Sequence, residues 1–145
     1  MKRFILCALL ALAATFSFGQ TKCNSDDMNI DLKFKRAIVN NSTLVIDFVV
    51  TNLGKKDRYL DFNVYDFRAY DDEGNCYKEN NIRVDIGNTG KDDCHFPTET
   101  PLKLRCFIDE LDEYATKIVR LDLQYRDPES GWYKIMVKDI AFSRD

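Results

Sequence analysis

Three carboxylates and an asparagine surround a glycine in the segment DDEGNCYKE, residues 71–79. Asp71, Glu73 and Asn75 alternate as oxygen ligands of a calcium loop do, which makes them the candidate calcium ligands. The spacing fits such a loop poorly. An EF-hand places its glycine after the third ligand and a bidentate Glu about six residues later. Here Gly74 lies between the second and third candidates, Asn80 occupies the later position, and Glu79 is one residue short. Asp-Glu-Gly-Asn is instead what a tight turn between strands requires, with Gly74 free to adopt positive φ and Asp72 placed to accept from turn amides. The expectation is therefore a structural turn. Asp92 and Asp93 are further oxygens if their loop comes near.

Nucleophilic chemistry has less support. His95 is the only histidine, and no serine lies in a Gly-x-Ser-x-Gly elbow. Cys94 precedes His95, but adjacent strand residues face opposite ways, so the two are not expected to meet. Asp and Glu are numerous enough that a carboxylate pair suited to glycoside hydrolysis stays open. Solvated outer faces and turns account for most of them. Glycine is too sparse for a phosphate-cradling loop, and no cofactor is expected.

The first residues, MKRFILCALLALAATFSFGQ, read as an export signal. Lys2 and Arg3 precede an uncharged apolar run from Phe4 to Phe18, and Ser17 and Gly19 supply the small residues a signal peptidase needs. Fifteen residues fall short of the roughly 20 of a spanning helix. The expected division is a signal peptide over 1–19 and a single domain over 20–145, secreted or periplasmic, with no membrane span in the mature chain. Losing Lys2 and Arg3 leaves 19 bases against 24 acids, a net charge of −5. No basic run of any length remains, which argues against nucleic acid as a partner.

Cys7 leaves with the leader, and Cys23, Cys76, Cys94 and Cys106 stay. Four cysteines in an oxidising compartment suggest two disulfides, with three connectivities open. Cys76–Cys94 together with Cys23–Cys106 is the favoured pair. A zinc site is disfavoured because no Cys-x-x-Cys pair exists.

Period-two alternation defines the elements that position these residues. Ile30, Leu32 and Phe34 alternate with charge; Leu44, Ile46, Phe48 and Val50 share a face, and Val45 and Val49 make the other face apolar too, as in a central strand. Leu60, Phe62 and Val64 continue the pattern, then parity shifts to Tyr65, Phe67 and Ala69, which implies a bulge. CYKENNIRVDIGN reads as a polar edge strand. Leu102, Leu104, Cys106 and Ile108, then Val119, Leu121, Leu123 and Tyr125, then WYKIMVKDIAF, complete about seven strands. Asp109–Thr116 reads as one helical turn, since Ile108, Leu111, Ala115 and Ile118 recur at three- and four-residue intervals. The fold class is an all-β, immunoglobulin-like antiparallel β-sandwich.

The order LVIDFVVTNLGKKD, DFRAYDDEGNCY, FPTETPLKLRCFI and ATKIVRLDL resembles the telokin-like, immunoglobulin-fold family of exported bacterial proteins. The likeness covers roughly residues 30–125. It implies a β-sandwich and export, and it brings no catalytic residues. The immunoglobulin Cys…Trp…Cys core has no counterpart, because Trp132, the only tryptophan, lies near the end.

Tyr59, Tyr65, Tyr70, Tyr77, Tyr125, Trp132 and Tyr133 suit either a core capped by wet hydroxyls or a protein- or carbohydrate-binding surface. The functional expectation is an exported, non-catalytic binding or accessory module. A small secreted hydrolase using surface carboxylates and a calcium-dependent adhesion module are the alternatives.

Overall fold

Alternation over residues 43–52 becomes the central strand of a five-stranded sheet. The computed structural model describes residues 20–63 and 66–145. The expected leader over 1–19, and Val64 and Tyr65 at the expected bulge, lie outside them. The first six strands are β1 (Lys22–Ser25), β2 (Ile30–Asn40), β3 (Thr43–Asn52), β4 (Arg58–Asp61), β5 (Arg68–Asp71) and β6 (Cys76–Tyr77). The remainder are β7 (Ile82–Ile86), β8 (Asp93–Phe96), β9 (Pro101–Ile108), β10 (Lys117–Asp127), β11 (Gly131–Ala141) and β12 (Ser143–Arg144).

One sheet runs β12-β2-β3-β9-β7. The other runs β1-β11-β10-β4-β8, with β5 also on β10 and β6 on β5. The two pack as a β-sandwich, as the alternation requires. Among the strands of the described residues, every pairing is antiparallel except β12 on β2. Each sheet turns one apolar face inward: Leu44, Ile46 and Phe48 from β3 meet a core shared with Leu121, Leu123 and Tyr125 of β10, all at most 1% exposed. A side chain of this kind contributes about 1.5–3 kcal/mol when fully buried.

Two register shifts decide which residues reach that core. In β2 the pairing slips between Phe34 and Arg36, so Ala37 and Val39 take over the inward face from Ile30, Leu32 and Phe34. In β10 it slips between Ile118 and Arg120. Ile118, fully buried, therefore takes the inward place expected for Val119, which is half-buried.

The twelve strands exceed the expected seven for local reasons. Residues 58–71 form two strands on β10 rather than one bulged strand: β4 meets its end at Arg126, and β5 meets Ile118–Asp122. Leu60 and Phe62 point inward before the interruption, Phe67 and Ala69 after it. CYKENNIRVDIGN likewise divides into β6 and β7, one in each sheet. The short strands β1, β8 and β12 carry too few alternating apolar residues to announce themselves.

The helical turn expected over Asp109–Thr116 does not form. Leu111 N–H donates to Ser42 O (2.9 Å), Asp112 N–H to the Tyr77 hydroxyl (2.9 Å) and Thr116 N–H to Asp72 Oδ1 (2.9 Å). These amides find partners outside the segment instead of carbonyls four residues back. Leu111 and Ala115 reach the core from an irregular loop whose only internal turn is Ala115 N–H to Asp112 O (3.2 Å).

Candidate functional site

The acidic segment folds as a tight turn between β5 and β6, with Gly74 at φ 89°. Its organiser is Asp71, which is 3% exposed. Oδ1 accepts from the Glu73 and Asn75 amides (3.0 and 2.9 Å), and Oδ2 from Asn75 Nδ2 (2.9 Å) and the Tyr77 hydroxyl (2.8 Å). The expected partner, Asp72, does something else: it leaves the turn and accepts from the Thr116 and Lys117 amides. Burial alone would raise the Asp71 carboxyl, but the bonds from Asn75, Tyr77 and Glu73 outweigh it and hold it below the usual carboxylate range. Tyr77 moves the other way, pushed up to about 12 chiefly by burial and by the Asp71 carboxylate.

Of the candidate calcium ligands, Asp71 thus spends both carboxylate oxygens inside the protein, and Asn75 its side-chain Nδ2, which also reaches Asp112 Oδ2 (2.9 Å). Glu73 is exposed. Asp92 and Asp93 belong to a different place, the cleft described below. Among the described residues, no three His, Cys, Asp or Glu side chains are grouped to hold a metal ion.

The expected disulfides are absent: Cys23, Cys76, Cys94 and Cys106 are all free thiols. Their strands explain it. Cys23 stands opposite Val137, Cys76 opposite Tyr70 and Cys94 opposite Leu60, while Cys106 lies between Ile46 and Val84. None of these four cysteines has another of them as its cross-strand neighbour. Cys106 is fully buried, and burial pushes its thiol up to about 12. Cys94 packs against the core while His95 is exposed and lies 3.3 Å from Asp57, so the adjacent pair does diverge.

A charged cluster beneath one end of the sandwich had no signal in the sequence. Arg58 on β4 places Nε 2.8 Å from Asp127 Oδ2 and Nη2 2.7 Å from Asp27 Oδ2. All three side chains are nearly inaccessible, at 8%, 5% and 2% exposed. The Tyr125 hydroxyl donates to Asp27 Oδ2 (2.6 Å). Neither Nη nitrogen makes a well-directed hydrogen bond, so the Asp27 contact is Coulombic. Burial would lower Arg58, but the two carboxylates outweigh it and stabilise the cation further. On the outer face of the other sheet, Asp47 is clamped between Arg36 (2.8 Å) and Arg105 (2.7 Å). Both clusters read as structural.

A cleft of about 690 Å³ lies at one open side of the sandwich. This falls within the usual range for ligand pockets, roughly 300–1,000 Å³. Phe62, Phe67, Ile82 and Val84 supply apolar lining, and Arg83, Lys91, Asp92 and Asp93 stand among its charged residues. Two further acids there are engaged: Glu79 with Arg68 (2.7 Å), and Asp85 with the Thr89 and Gly90 amides (3.1 and 3.2 Å).

β7 borders this cleft as an edge strand, paired only with β9. Gly87 N–H donates to Lys103 O (2.7 Å), and Asn81 O accepts from Asp109 N–H (2.8 Å). Backbone direction alternates along an antiparallel strand. Residues 81, 83, 85 and 87 therefore bond to β9, and Ile82, Val84 and Ile86 turn their N–H and C=O groups outward. Ile86 N–H is taken by Lys91 O (3.0 Å). Among the described residues, no strand occupies the remaining edge at Ile82 and Val84. Comparison with known families finds no family model that matches the chain, and comparison with curated proteins finds no match either.

Proposed function

We propose that the protein is an exported, non-catalytic binding module whose cleft accepts a short extended polypeptide segment alongside β7. The observation that carries this reading is the outward backbone of Ile82 and Val84 beside an apolar lining. Strand addition draws affinity from main-chain hydrogen bonds and selectivity from alternate side chains. Phe107, half-buried beneath the Arg83 guanidinium, offers the accessible apolar contact, and Lys91 and Asp92 select for charge. Lys91 also blunts the far end of the edge, which confines pairing to a few residues and discourages runaway sheet growth.

Export rests on the leader pattern, and membership of the telokin-like family on the turn motifs; both are part of the same reading. Selection of a random-peptide display library on the purified protein tests it. Enrichment of short sequences with apolar residues at alternate positions is expected. Failure to enrich any sequence would overturn the proposal.

A further inference from the structure

The free edge of β7 ends in a charge imbalance. Lys91 O takes the Ile86 N–H (3.0 Å) and Thr89 Oγ1 donates to Ile86 O (3.0 Å), which closes the edge at that residue. From there the chain crosses to the other sheet, where Asp92 O accepts from Phe62 N–H (2.8 Å). Asp92 and Asp93 therefore stand at the closed end of the cleft, and Val84 is the last position before it with a free backbone.

Four acids and two bases line this cleft. Glu79 is paired with Arg68 (2.7 Å), and Arg83 with Asp109 (2.9 Å). Among the described residues, that leaves Asp85, Asp92 and Asp93 without an ion pair, against Lys91 alone. Asp85 is partly answered: it accepts from two backbone amides and lies in register with Arg105, which Asp47 holds (2.7 Å). Asp93 has a like charge in register with it, Asp61 on β4, whose own base is Arg126 (3.4 Å).

A second copy of the chain does not fit this edge. Two β7 strands that satisfy all the free groups of Ile82 and Val84 must pair antiparallel about Arg83, which sets Arg83 against its own equivalent. Their Cα atoms would lie about 4.5 Å apart, and like charges directly opposite are destabilising. Each Arg83 is already held by Asp109 and lies over the Phe107 ring, 4.6 Å from its centre, so it is not free to swing aside. Centring the pair on Val84 instead would set Ile82 against Ile86, whose backbone is taken.

We propose that the segment added to β7 is basic and belongs to another protein: an extended stretch with a lysine or arginine opposite Val84, its cation turned toward Asp92 and Asp93. This partner presupposes the strand addition proposed above. Directly opposed residues of an antiparallel pair project from the same face. A side chain opposite Val84 therefore enters the cleft, while its neighbour opposite Arg83 stays on the outer face. An acid at the inward position would meet two more acids, and such repulsion is how a site rejects the wrong partner.

The test is fluorescence polarisation of the purified protein with labelled octapeptides in which valine and threonine alternate and one central valine is exchanged for lysine, glutamine or glutamate. The lysine peptide should bind about fivefold tighter than the glutamine peptide, the scale of one partly exposed ion pair, with glutamate weakest. Added salt should narrow these differences. Asp92→Asn should remove the lysine preference and Lys91→Gln should enlarge it, a pair of opposite changes that loss of fold does not produce. Equal binding of the three peptides, or a preference for glutamate, overturns the basic partner and leaves strand addition standing. Binding of none overturns both. An Asp92→Asn protein that keeps the full preference overturns the assignment as well.

Discussion

Arg58 and Asp27 meet 2.7 Å apart inside the protein, 8% and 2% exposed. The contact ties β4 to the segment joining β1 and β2, and Asp127 extends it to the end of β10. Breaking a buried pair from one side leaves uncompensated charge, at a cost of about 3–5 kcal/mol. Arg58→Met should therefore lower the free energy of urea unfolding by about that much. A loss below about 1 kcal/mol, the range of exposed pairs, would show that water reaches the cluster.

Acid should act through Asp71, Asp47 and Asp127. Burial opposes ionisation in each, but hydrogen bonds and arginines win and depress all three below the normal carboxylate range. A carboxyl with a lower pKa folded than unfolded is protonated first in the unfolded chain. The stability it contributes is complete above the unfolded value near 3.9, and is lost as pH falls through the folded value. Urea midpoints should hold steady from pH 7 to about pH 5 and decline below it. Asp71→Asn should flatten that acid limb, and an unchanged limb would remove Asp71 from the account.

The thiols give a separate check. Cys76 is exposed and Cys106 is fully buried. Alkylation of the native protein should label Cys76 first, and Cys106 only after unfolding. Reductant should leave the melting temperature unchanged. A lowered melting temperature on reduction would mean that disulfides form after all.

Calcium should also leave the melting temperature unchanged, since a ligand of the native state must raise it. Asp71 already accepts four hydrogen bonds within the turn. A rise of several degrees that Asp71→Ala abolishes would identify the turn as an ion site.

Much of the sandwich was legible because one face of β3 and of β9 is apolar at every second position: Leu44, Ile46, Phe48, Val50 and then Leu104, Cys106, Ile108 announce their inward faces. β8 was not, because Asp93, Cys94, His95 and Phe96 offer one buried apolar residue among polar ones. The loop over 109–116 misled for a physical reason. Leu111 and Ala115 stand four residues apart and both reach the core, which a helix and a folded loop achieve equally well. The charged cluster was invisible because its members lie far apart in the chain. Arg58 and Asp127 are separated by 69 positions, and Tyr125 and Asp27 by 98. The cleft depends on which backbone groups β9 leaves unpaired, and side-chain alternation carries no record of that.

Hydrogen exchange at the Ile82 and Val84 amides, with and without a peptide selected for binding, tests the cleft reading most directly. Both amides point away from β9 and should exchange readily in the free protein. Bound peptide should slow them strongly while leaving the Arg83 and Asp85 amides, already bonded to β9, little changed. Val84→Pro removes one outward donor at an edge position that tolerates proline, and should abolish binding with the fold retained. Protection appearing elsewhere, with Ile82 and Val84 exchanging as before, would contradict strand addition at β7.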